Sequence, residues 1–351
     1  MHRERGNMSV YNIGKFMKIR RTEMGITQLQ LAEGICSVAT LSRIENGENP
    51  PTQKHIRALL QRLGYSDAPI MFMTDQVEAD IARLQFEIRT VLALNDYARA
   101  EPMIESLGKM KDNFSNMDTL FYEVVSTVLS FRDKDTPRGA AIVRLENALR
   151  AVHPNYSPQR LPLTLTYIEA VALNNIANCH YRLGNLEEAI RYYKHIQHFY
   201  EDVIQDPEEA KRLLPMIYYN LSKMLGLLGR YDECIEICDR GIRYAKKVRR
   251  FADMPETLYN KAWSMVRRNK PGDLEAARQA AKEASVLLPI YETNPRMILL
   301  LEKCSRSILG KKCREFNYRN SFHHHHNLAN RCCPRRYSGH LESAWASEVV
   351  R

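Results

Sequence analysis

Apolar residues recur three and four positions apart along nearly the whole chain, and the spacing breaks mainly at clusters of Gly, Pro and Asn. That pattern predicts helix after helix, an all-α protein. The first stretch reads as a small bundle. Ile13, Phe16, Met17 and Arg20 stand at helical spacing ahead of Gly25. Thr27 and Gln30 have the T-x-x-Q spacing of a capping box, in which each side chain satisfies the other's free backbone N–H; Leu31, Ala32 and Ile35 then form the buried face. Ser37 caps the next helix, with Leu41 and Ile44 pointing inward and Asn46-Gly47 ending it in residue types that accept the left-handed region. After Pro50-Pro51, Thr52 opens a helix carrying Ile56, Leu59, Leu60 and Leu63. A last helix of the bundle is expected to begin at Pro69-Ile70-Met71-Phe72.

Beyond residue 75 a period near 45 residues appears. The clearest copy runs from Leu173 to Ile196: Leu173, Ile176, Ala177 and His180 make one helix face, Gly184 turns the chain, and Leu186, Ala189, Tyr193 and Ile196 make the facing stripe. The next places Ser222 and Cys234 at the small positions, with Gly229 in the turn and Cys238 and Gly241 following. A third sets Ala262 against Ala277, Ala281 and Ala284. Two weaker copies precede them, one at Ile88, Val91, Asn95, Tyr97, Ala100, Ile104 and Leu107, the other legible only at Ala141, Leu145 and Ala148. Stacked helix pairs of this kind build a superhelix with a concave face.

The segment Gly25–Gly47, with T-Q-x-x-L-A at its start and L-S-R-I-E-N-G at its finish, resembles the helix-turn-helix of the XRE family, the lambda-repressor-like DNA-binding domains. Its turn, Glu33-Gly34-Ile35-Cys36, is one residue shorter than the commonest spacing in that family. The repeats resemble tetratricopeptide repeats, with Leu173 where the large first-position aromatic usually stands. The combination is similar to the peptide-pheromone-responsive RNPP regulators of Gram-positive bacteria. The resemblance implies a receptor that binds double-stranded DNA at an inverted-repeat operator, takes a short signalling peptide in its repeats and works as a homodimer. The expected domains are 1–72 for DNA binding, ordered from about residue 9; 73–310 for ligand binding and dimerisation; and 311–351 as a disordered tail.

Within this frame Arg43, with Ser37, Val38, Ala39, Thr40 and Ser42 around it, is expected to read base edges in the major groove, while Gln28 and Asn46 hold phosphates at the helix ends. For the peptide, Asn175, Asn220 and Asn260 each lie nine residues before the turn positions Gly184, Gly229 and Asn269, so they repeat one place on successive first helices. Asn is a poor helix former. A ladder of amides can clamp an extended peptide backbone, each offering a donor and an acceptor. The alternative is that Asn bonds to the neighbouring helix at that place. Asn174, Asn178, Tyr219, Lys223, Tyr259 and Trp263 lie near the same surface by spacing.

Charge adds little. The formal net charge is +10, but residues 1–67 hold 10 Lys/Arg against 6 Asp/Glu and residues 311–351 hold 8 against 3, so half of the excess belongs to the tail. That tail, with its four-histidine run and Cys332-Cys333, fits no common zinc spacing. Cys36, Cys179, Cys234 and Cys238 read as small hydrophobes, and the Cys234/Cys238 pair as core rather than metal ligands. The start MHRERGNMSV has no apolar signal segment, Met8 being a second candidate start, and no stretch is long and apolar enough to span a bilayer, so a cytoplasmic protein without a membrane partner is expected. No nucleophile–base–acid set, phosphate loop or H-E-x-x-H pair is visible, which argues against an enzyme and for no cofactor. His55, His180 and His195 read as packing or surface residues. The competing reading within the same motifs is an XRE regulator whose repeats hold a protein partner or serve only for dimerisation.

Overall fold

The computed structural model describes residues 10–49, 51–65, 76–93, 96–131, 137–203 and 208–291. These residues form fourteen α-helices. They fall into two compact units, the first ending at Cys179 and taking in the short segment after His198, the second made of His180–Gln197 and the residues from Ala210 onward. The fifth helix of the small bundle expected at residues 69–72, Asn95 and the tail lie outside the described residues.

In the first unit, α1 (Val10–Glu23), α2 (Gln28–Ala32), α3 (Val38–Asn46) and α4 (Gln53–Arg62) close around Ile13, Met17, Leu31, Leu41, Ile44, Leu59 and Leu63, all buried. Each of these side chains contributes about 1.5–3 kcal/mol by leaving water. The caps form as the spacing predicts: Thr27 and Gln30 make both bonds of the box, Ser37 accepts from the Thr40 N–H, and Thr52 accepts from the His55 N–H. Gly47 ends α3 in the left-handed region. Phe16 sits at the rim, its ring 5.2 Å from that of Tyr65. Gly14 lets α1 lie on α3 so closely that a Cβ there would sit 1.9 Å from the Ile44 carbonyl oxygen.

The chain continues through α5 (Gln76–Ala93), α6 (Tyr97–Gly108), α7 (Asn116–Ser130), α8 (Arg138–Val152) and α9 (Tyr167–Arg182). Ile88, Val91, Ala100, Ile104 and Leu107 are buried as the weak repeat predicts, and so are Ala141, Leu145 and Ala148 of α8. The partner helix of α8, illegible from periodicity, is α7, announced by a Ser115–Asp118 capping box.

The second unit holds α10 (Leu186–His198), α11 (Glu208–Leu227), α12 (Tyr231–Val248), α13 (Met254–Arg268) and α14 (Asp273–Tyr291), with the ends of α10 and α11 at its margin. Leu258, Tyr259 and Ala262 of α13 pack against Ala277, Ala281, Ala284 and Leu288 of α14. The three repeat turns align because each needs one residue at positive φ: Gly184 at 85°, Gly229 at 78° and Asn269 at 54°. Glycine takes that conformation freely and asparagine tolerates it better than most residues.

Candidate nucleic-acid and ligand-binding sites

The outward face of α3 is built over a buried ionic scaffold. Glu45 is 1% exposed. Its carboxylate accepts from Arg21 Nε at 2.6 Å, Arg21 Nη2 at 3.0 Å and Gln28 Nε2 at 2.8 Å, so a side chain from α1 and one from α2 fix the angle of α3. Bonding to Glu45, the largest effect, raises the Arg21 pKa. This corrects the place expected for Gln28. Its amide N–H is committed to Glu45, because a buried carboxylate left short of donors is costly, and a phosphate contact from that N–H would break the scaffold. Spacing alone did not disclose this role, since its three residues come from separate helices.

With Glu45 so occupied, Arg43 projects from the helix into solvent, and among the described residues it has no ion pair or side-chain hydrogen bond. Ser37, Val38 and Ala39 are exposed beside it, and Thr40 and Ser42 half-buried. Asn46 is exposed, its Oδ1 accepting from Lys18 Nζ at 3.3 Å, which brings an unforeseen cation to the same helix end.

The predicted peptide-site residues divide by burial. In the first unit Asn174 and Asn175 are buried on α9 and Asn178 is half-buried; the Asn175 Nδ2 has no hydrogen-bond partner among the described residues. In the second unit Asn220 and Trp263 are half-buried, whereas Tyr219, Lys223, Tyr259 and Asn260 are buried. Asn260 answers to the structural alternative: its Nδ2 donates to Ser222 Oγ at 3.0 Å and to the Tyr219 carbonyl at 3.4 Å, tying α13 to α11. Tyr219 and Tyr259 do not offer the open apolar area expected of them, because each points into helix packing. Burial, the largest cause, lowers the Lys223 pKa; Tyr181 opposes it, its ring centroid lying 4.3 Å from the ammonium. Trp263 stands edge-on to Tyr231 at 5.9 Å. Cys234 and Cys238 are buried free thiols, and Ser264 Oγ lies 3.0 Å from Cys234 Sγ. Among the described residues no group of three or more His, Cys, Asp or Glu side chains is placed to hold a metal ion, and no helix is long and apolar enough to cross a membrane.

A third cluster had no signature in the sequence. Arg62, at the end of α4, is fully buried. Its Nη1 donates to the Leu31 carbonyl at 3.2 Å and to the Glu33 carbonyl, while Nη2 lies 3.4 Å from Glu169 Oε1. His153 Nε2 is 2.9 Å from the same carboxylate oxygen, and His153 Nδ1 is 3.5 Å from Glu33 Oε2. Glu169 Oε2 accepts from the Thr166 N–H at 2.5 Å. Burial pushes the Glu169 carboxyl up, but His153, Arg62 and the Thr166 N–H together outweigh it and hold it at about 2.

Residues 17–70 match the helix-turn-helix family, and residues 152–306 match the RNPP family C-terminal domain. The transcriptional activator NprA of Geobacillus stearothermophilus is 24% identical over 213 residues, which cover 59% of this chain and 48% of NprA, so the chain spans about half the length of that relative. Two solved structures of PlcR from Bacillus thuringiensis are similar. The complex with the peptide PapR7 and DNA has a TM-score of 0.51 at 19% identity, over 85% of this chain and 99% of PlcR. The apo form has a TM-score of 0.51 at 20% identity, over 86% and 99%. At such identities the likeness speaks for the fold.

Proposed function

We propose that the chain, whose residues 17–70 match the helix-turn-helix family and residues 152–306 the RNPP family C-terminal domain, is a transcriptional regulator of the RNPP type that binds an inverted-repeat DNA operator through α3 and senses a short signalling peptide through its repeats. The domains are 1–72, 73–310 and the tail 311–351, and the protein acts in the cytoplasm by binding rather than by catalysis. The observation that carries the DNA reading is the exposed α3 face, where Arg43 has no ion pair among the described residues and the helix beneath it is locked by Glu45. A guanidinium offered without a competing carboxylate suits the two acceptors on a guanine edge. Ser37, Val38, Ala39, Thr40 and Ser42 complete that face, and Asn46, beside Lys18, serves the phosphate backbone.

For the peptide, Asn178, Asn220 and Trp263 are the accessible contacts, with Asn174, Asn175 and Lys223 beneath the surface. A peptide's backbone must recover hydrogen bonds lost from water, which side-chain amides supply without demanding a sequence.

Selection from a random duplex library followed by footprinting tests the assignment. Arg43→Ala should cost about 1–3 kcal/mol at the selected site and relax the preference there. A uniform loss across all sequences would instead make Arg43 a phosphate contact, and unchanged affinity and preference would remove it from the interface. Titration with short linear peptides separates a peptide sensor from a regulator whose repeats hold a protein partner, which would bind none of them.

A further inference from the structure

The helix-turn-helix is bolted to the repeats by its turn, not by its DNA-reading face. Arg62 caps the C-terminal end of α2, where helix carbonyls lack intrahelical partners and the dipole favours a cation. The same guanidinium reaches Glu169 in the first turn of α9, where that carboxylate completes a capping box with Thr166. Around it, Asn155 Nδ2 donates to Glu33 Oε1 at 2.9 Å, and the Val152 carbonyl oxygen lies where a Gly34 Cβ would be, 1.6 Å away. Beside this contact the two parts separate around a cavity of about 350 Å³ lined by Ile35, His55, Arg57, Asn116 and Val152 among others. The join is thus made by this polar cluster on one side of the cavity and by Arg57 with Gln85, 3.1 Å apart, and Lys54 with Glu78, 3.3 Å apart, between α4 and α5; of these contacts only the cluster reaches α9.

Helix α9 has a second property. Six residues beyond Glu169, about 9 Å along the helix, comes Asn175, buried and with no partner for its amide nitrogen among the described residues, flanked by Asn174 and by Asn178 one turn on. We propose that α9 is the transmission element of this protein: its first turn grips the DNA-reading bundle through Glu169 and Arg62, its middle bears on the ligand, and a shift of one end is passed to the other. Arg62 and Glu169 are thus positioning residues, which fix the orientation of α3 without touching DNA or peptide. The inference rests on the proposed peptide reading for its ligand end, while its mechanical end stands on the geometry of the Arg62 cluster.

Removing one member of a buried ion pair strands the other, so the bolt is sensitive to single substitutions. The test is hydrogen exchange on the full chain without ligand, comparing wild type with Arg62→Met, Glu169→Gln and the peripheral Glu33→Gln. The expected result is a matched acceleration, tenfold or more for the first two variants and smaller for the third, in peptides covering 28–36 and 164–170, with α13 and α14 unchanged. Acceleration everywhere, or on one side only, overturns the proposal, as does none; Glu33→Gln, at the rim, gives the reading should the buried variants unfold. Selection from random duplex DNA supplies a second readout: the variants should keep the wild-type half-site sequence but accept a wider range of half-site spacings. A wild type that enriches no sequence would refute the DNA-binding reading and leave the exchange result to judge the bolt.

Discussion

Asparagines at one repeat position stand in different surroundings. Asn260 meets Ser222 and the Tyr219 carbonyl across the α11–α13 interface, whereas Asn220 is half-buried at the corresponding place on α11. Asn260→Ala should therefore lower stability by about 1–3 kcal/mol with or without ligand, since it strands buried polar partners. Asn220→Ala should weaken peptide binding while leaving DNA binding without ligand intact. Calorimetry of both variants, alone and in peptide titrations, checks the contrast; equal melting losses with undiminished peptide affinity would assign both residues to packing.

At the level of the helix, glycine supplies a case where intrinsic propensity and packing pull in opposite directions. Replacing a mid-helix glycine by alanine ordinarily favours the helix by up to about 1 kcal/mol. Gly139, near the start of α8, has nothing within 4 Å of where its Cβ would stand, so Gly139→Ala should stabilise modestly. Gly14 on α1 has the Ile44 backbone at 1.9 Å, and backbone cannot step aside as a side-chain tip can. Gly14→Ala should destabilise the bundle and tilt α3, so that DNA affinity falls with stability. Thermal melts of the two variants give opposite signs if close helix packing, not propensity, governs α1.

For the whole molecule, one small bundle buries too little surface to hold an operator tightly, which favours a dimer whose repeats carry most of the contact. Sedimentation should find the full chain dimeric at micromolar concentration and a chain shortened to end near Phe72 monomeric. A stable dimer of the shortened chain would move the interface to the bundle.

The helices, their caps and the repeat turns were written in the sequence because each depends on neighbours a few residues away: Thr27 with Gln30, Ser37 with Thr40, a positive φ at Gly184 and Gly229. Local bonds leave local spacing, and the outward face of α3 follows from the same periodicity. What the sequence could not disclose is which polar side chains meet across long separations. Gln28, expected at a phosphate, gives an amide N–H to Glu45, seventeen positions on. Asn260 was one rung of a ladder until Ser222, 38 positions back, took its donor. Arg62 lies beside Leu59, Leu60 and Leu63, whose inward places the spacing does show, yet nothing in that spacing marks it as buried against Glu169, 107 positions away. A buried charge must find its partner wherever the fold brings one, and no period in the chain records that meeting; it is decided only when the helices pack.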